Sequence, residues 1–181
     1  MSGKYIYETN TVSDYPAVGD YVVASCPTDG SRSIISNLFP RKSVFIRKAA
    51  GTNSQEQVVA ANIDTVFLCM SLNNDFNIRR LERYVALSWD SGATPVVVLT
   101  KTDLCEDIEA KISEVQSIAS GVDVITVSSK NNDFDAVNPY LVSGKTVAFL
   151  GSSGVGKSTL INKIIGEDII ADYVKKRCLR Y

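Results

Sequence analysis

The chain contains no histidine. That absence excludes Ser-His-Asp and Cys-His catalysis, His-ligated zinc and the usual near-neutral general base. Chemistry is left to carboxylates, lysines, hydroxyls and backbone amides. The four cysteines, Cys26, Cys69, Cys105 and Cys178, form no CxxC unit. Zinc is therefore not expected, and reduced thiols in a cytoplasmic protein are. No apolar run approaches the ~20 residues of a spanning helix, and the N-terminus lacks a charged segment followed by an apolar one, so no membrane association is expected. With 19 Lys+Arg against 20 Asp+Glu, the net charge of −1 supplies no overall field for DNA. What is present is a chain of 181 residues, 45% of them hydrophobic, which allows one domain with a real core plus a small module.

The texture changes near residue 50. Before it, Val18 to Ala24, Ser33 to Phe39 and Ser43 to Arg47 read as strands separated by turn residues such as Asp29-Gly30. Residues 1–50 are thus a small β-module, 51–62 a polar linker and 63–181 a second domain. In that domain, the apolar runs Asp64 to Met70, Pro95 to Thr100, Val122 to Val127 and Thr146 to Leu150 read as buried strands. Between them, Ile78, Leu81, Val85 and Trp89 have helical spacing, as do Ile108, Ile112, Val115 and Ala119. Alternation of this kind predicts an α/β fold with a parallel sheet.

Chemistry concentrates after the last of those strands. Gly151-Ser152-Ser153-Gly154-Val155-Gly156-Lys157-Ser158 matches G-x-x-x-x-G-K-[ST], with an apolar strand before it and an amphipathic helix after it. Glycines at these spacings let successive backbone N–H groups turn toward phosphate oxygens. Lys157 would reach the β- and γ-phosphates, Ser158 would hold Mg²⁺, and Thr159 would support the α-phosphate. At the end of the second buried strand, Thr100-Lys101-Thr102-Asp103 resembles the [NT]-K-x-D motif of GTPases. An aspartate there accepts from N1–H and the 2-amino group of guanine, donors that adenine lacks. Lys101 would pack along the base, and Thr100 stands where Asn is commoner, so one amide contact is lost or replaced by a weaker hydroxyl contact. Taken alone, Asp103 reads equally as a helix cap. Ser128-Ser129-Lys130, after the third strand, resembles the S-A-K motif, whose backbone amide contacts guanine O6.

The order of these motifs is informative. The guanine-type motifs precede the phosphate loop, the reverse of ordinary small GTPases. Together with Val18-Gly19-Asp20 and the run from Gln57 to Asp64, this order resembles the circularly permuted GTPases, specifically the ribosome small-subunit-dependent GTPase A family, over roughly residues 5–168. The resemblance implies a P-loop NTPase-type sheet with permuted motifs, preceded by a partial OB-like module. It implies a cytoplasmic, monomeric GTPase using GTP/GDP and Mg²⁺, with the small ribosomal subunit and its rRNA as partners. Arg41, Lys42, Arg47 and Lys48 are candidate RNA contacts of the module.

Several elements of the family pattern, among them the zinc-binding domain, are missing. No Asp in the chain has Gly three residues later, so the D-x-x-G that supports Mg²⁺ and contacts the γ-phosphate is absent, and the tail after Ala171 does not resemble the family's switch region. A truncated chain is expected, one that binds guanine nucleotides but hydrolyses GTP poorly. Two other functions fit parts of the pattern: an ATP-using kinase or ATPase, and a non-catalytic RNA-binding assembly factor.

Overall fold

A computed structural model of the chain describes residues 14–28, 32–48 and 56–166. The tail after Ala171 and residues 51–55 of the expected linker lie outside the described residues. The chain divides into two compact units, residues 1–64 with 90–93, and residues 65–89 with 94–181.

In the first unit, β1 (Val22–Ser25) pairs antiparallel with β2 (Ile34–Leu38), and β3 (Val44–Lys48) pairs antiparallel with β4 (Glu56–Ala61). These short antiparallel ladders are consistent with an OB-like module. The fourth strand corrects the sequence reading, in which residues 51–62 are linker. Polar residues at Glu56 and Gln57 hide a strand whose Val58 and Ala61 are buried. Only the second half of the segment carries a strand's apolar positions, so the polar average misleads.

The unit is closed by polar contacts. Asn62, at φ 55°, accepts from the Lys42 amide at 2.9 Å and donates to the Gly19 carbonyl at 2.9 Å. The Ser43 hydroxyl donates to the Ile63 carbonyl and accepts from the Ile63 amide, both at 2.7 Å. Asp20 takes two 2.7 Å bonds from the Arg41 guanidinium, and its carboxylate is 1% exposed. Arg41 is therefore committed to a structural ion pair, against the expectation that it contacts RNA.

The second unit is a four-stranded parallel sheet in the order β7-β6-β5-β8, built from β5 (Thr65–Ser71), β6 (Thr94–Thr100), β7 (Asp123–Val127) and β8 (Val147–Leu150). Its connections carry α1 (Ile78–Ser91) and α2 (Ile108–Ile118), and α3 (Lys157–Ile165) follows β8. β5 and β6 are central, so both of their faces are covered, and Phe67, Leu68, Val97, Val98 and Leu99 are fully buried. Each such side chain contributes about 1.5–3 kcal/mol relative to exposure.

The inward stripe of α1 departs from its expected line. Leu81, Val85 and Ser88 are buried, whereas Trp89 is 51% exposed. A spacing of i, i+4, i+7 follows the helical period, and Ser88 is admitted because its hydroxyl bonds back to the Tyr84 carbonyl at 2.8 Å.

Candidate nucleotide site

Three loops leave the C-terminal ends of β6, β7 and β8, the edge where open parallel sheets bind ligands. The loop after β8 begins at Gly151, which crosses so close to β5 that a side-chain carbon there would overlap the Cys69 carbonyl. It ends at Gly156, whose φ of 100° turns the chain into α3 at little steric cost. The Leu160 amide makes an α-helical bond to the Gly156 carbonyl at 3.0 Å. The amides of Lys157, Ser158 and Thr159 therefore stand before any acceptor of their own helix, and the helix dipole adds positive character to them.

Lys157 Nζ donates to the carbonyls of Gly151, at 2.8 Å, and Ser152, at 2.5 Å. The ammonium thus lies curled on its own loop, holding it closed. Ser153, Gly154, Ser158 and Thr159 are exposed. Val155 is different: it is 1% exposed and packs in the core with Phe67 and Leu160. Cys69, beneath the loop, is a free buried thiol pushed up to about 12 by desolvation, and it stays neutral.

On the β6 loop, Thr100 is 4% exposed, and its hydroxyl donates to the Val155 carbonyl. This hydroxyl is committed to an internal task, tying β6 to the phosphate loop. Lys101, in the left-handed region at φ 57°, opens the 3-10 turn Thr102–Leu104. Asp103 is exposed, and its Oδ1 accepts from the Ser128 hydroxyl at 3.1 Å. It caps no helix. The side chain that caps α2 is Asp107, accepting from the Ala110 amide at 2.9 Å.

On the β7 loop, Ser128 is 1% exposed, and its backbone is bonded both ways to Asp133. Its side chain therefore positions Asp103 from within. Ser129 lines the cleft, whereas Lys130 is exposed and lies outside its lining. The cleft is open to solvent and has a volume of about 140 Å³. Thr100, Lys101, Ser129, Gly154, Gly156 and Thr159 line it together with the apolar Val127, Phe134 and Leu160.

Sequence reasoning missed two residues at this site. Asp75, between β5 and α1, accepts from the Ser152 hydroxyl at 2.5 Å and pairs with Arg80 at 3.1 Å. The Ser152 hydrogen bond, then that of Arg80, holds its carboxyl below the usual carboxylate range. The signal that could have found Asp75 is strand adjacency. β5 lies beside β8, so the loop after β5 must flank the phosphate loop.

A parallel sheet carrying a phosphate-type loop after β8 and two further loops converging on one cleft defines the class, a P-loop nucleotide-binding domain with circularly permuted loop order. The model of the RsgA GTPase family matches residues 38–177, and the chain belongs to that family. It is 51% identical over 173 residues to the small ribosomal subunit biogenesis GTPase RsgA 2 of Lactiplantibacillus plantarum, covering 94% of this chain and 48% of that protein. It is 45% identical over 160 residues to the small ribosomal subunit biogenesis GTPase RsgA of Methanosarcina acetivorans, covering 87% and 43%. Among solved structures, it is similar to YjeQ from Thermotoga maritima, with a TM-score of 0.70 and 28% identity over 90% of this chain and 54% of that one. It is also similar to YloQ, a circularly permuted GTPase, with a TM-score of 0.60 and 28% identity over 82% and 50%. The chain spans about half the length of the curated relatives it matches.

Proposed function

We propose that this chain is the guanine-nucleotide-binding part of a cytoplasmic GTPase that acts in maturation of the small ribosomal subunit. The observation that carries the reading is the convergence of Lys101, Ser129, Gly154 and Thr159, from three separate loops, on one cleft. The names of the relatives support the ribosomal role.

In this reading, the backbone amides of Ser152 to Thr159 cradle the phosphates, and Lys157 leaves the Gly151 and Ser152 carbonyls for the β- and γ-phosphates. Asp103 takes the guanine edge, with Ser128 fixing one of its oxygens. Because Asp103 is exposed, discrimination against adenine arises when a base covers the carboxylate and leaves it unpaired. The Ser158 hydroxyl at the start of α3 suits a hard cation such as Mg²⁺, which takes oxygen ligands. When bound, that ion supplies charge neutralisation for the phosphates. For RNA, the exposed pair Tyr21 and Phe39, joined by a 2.9 Å bond from the Phe39 amide to the Tyr21 carbonyl, supports stacking on the first unit. The side chains of Arg47 and Lys48 lie outside the described residues.

Competition against a fluorescent GDP analogue tests the proposal. GDP and GTP should displace it and ATP should not, and Asp103→Asn should shift preference toward xanthine nucleotides. Equal displacement by ATP and GDP would sink the guanine reading. In single-turnover assays, the 181-residue chain, which carries no D-x-x-G, should hydrolyse GTP slowly.

A further inference from the structure

The inference rests on the guanine-nucleotide reading above. The first residues of the phosphate loop are held from two directions. From within, the Lys157 ammonium takes the Gly151 and Ser152 carbonyls. From the β5–α1 loop, Asp75 Oδ2 takes the Ser152 hydroxyl at 2.5 Å. Asp75 is itself gripped by Arg80, whose Nη1 donates to its two oxygens at 3.1 and 3.2 Å. Arg80 is fixed at the start of α1, where its amide donates to the Asn77 side chain at 2.9 Å.

A carboxylate this close to an anion-binding loop opposes ligand charge unless something offsets it. The Arg80 guanidinium does so. The two holds on the loop also differ in what survives binding. The Lys157 bonds are given up when its ammonium turns to a phosphate. The Asp75 bond uses a side-chain hydroxyl, not one of the backbone amides that a phosphate needs, and so it persists.

We propose that Asp75 is a positioning residue of the phosphate loop: through the Ser152 hydroxyl it keeps the start of the loop in place once Lys157 has left for the nucleotide, while Arg80 offsets its charge.

The test uses the full chain and a fluorescent GDP analogue, titrated with thermal melting in parallel. Asp75→Ala should weaken binding about tenfold, the usual effect of losing one hydrogen bond to a charged group. Ser152→Ala should weaken it equally, and the double variant should be no worse than either, because both remove one bond. Asp75→Asn keeps an oxygen acceptor and should remain within about threefold of the unaltered chain. The nucleotide-free melting point should hold in all of them, which a general structural role would not allow. Should Asp75→Ala fail to fold, Ser152→Ala carries the same test with the loss of one oxygen atom.

Additive single effects would overturn the proposal. So would Asp75→Ala binding as tightly as the unaltered chain, or tighter binding in both Asp75 variants, which would make the carboxylate a source of repulsion. Failure of the unaltered chain to bind at all would sink the guanine reading itself, and the proposal with it.

Discussion

In the second unit the buried groups are mostly apolar, with Phe67, Leu68, Val97, Val98 and Leu99 at zero exposure along two central strands. In the first unit the described residues show few such positions, among them Val58, Ala61 and Ile63. There Ser43, Asn62 and the Asp20–Arg41 pair knit backbone to side chain instead. The family's sequence signatures accordingly serve two different ends. Val18-Gly19-Asp20 and Asn62 are architectural: Asn62 bonds to Gly19, Asp20 to Arg41, and the Ala61 amide to the Val18 carbonyl at 2.9 Å. The signatures at 100–103 and 151–158 are chemical, and they sit on loops whose positions a densely packed sheet can hold.

The largest expected loss is in the apolar unit. Leu99→Ala should leave a cavity in the sheet core and cost about 3–5 kcal/mol in denaturant unfolding, with nucleotide binding lost as the sheet loosens. The next comes from the polar unit. Asp20→Asn should cost about 2 kcal/mol, less than a fully buried pair, because the Arg41 side chain keeps 18% exposure.

The same contact predicts acid sensitivity. The Arg41 hydrogen bond is the largest influence on Asp20 and outweighs the burial that opposes it, so the folded carboxyl titrates below its ordinary value. Its contribution is therefore complete above about pH 4 and is lost as pH falls below that. Acid titration of the Asp20→Asn variant should show a flatter stability profile in this range than the unaltered chain.

The smallest effect sharpens the point. Asn62→Ala loses two hydrogen bonds and must also hold φ at 55°, whereas Asn62→Gly loses the bonds alone. Glycine at this site should be more stable than alanine by about 1 kcal/mol, measured as the difference in chemical unfolding.

Much of the second unit was legible because buried parallel strands write themselves as unbroken apolar runs and helices as 3.6-residue stripes. β5 through β8 and α1 through α3 begin within about two residues of the sequence expectation. The first unit was harder. β4 is half polar and reads as linker, and Arg41 reads with the basic RNA candidates because charge composition does not reveal a partner 21 residues away. At the cleft, Lys157, Ser158, Thr159, Lys101 and Asp103 were legible from motif spacing. The tasks of Thr100, Ser128 and Val155 were not. Each looks polar or loop-like in a motif, yet each is buried and holds another part of the site.

By itself, the sequence determined the chemistry available: no histidine, a phosphate-type loop, and an aspartate and lysine spaced as in guanine-binding proteins, in permuted order. These are local facts, carried by residues a few positions apart. The tertiary structure decided which loops meet. The strand order β7-β6-β5-β8 brings residues 75, 100, 128 and 152 to one edge although they are distant in the chain. Hydrogen-bond pairing between strands sets that order. It assigns Thr100 to the phosphate loop, Ser128 to Asp103, and Asp75 to Ser152.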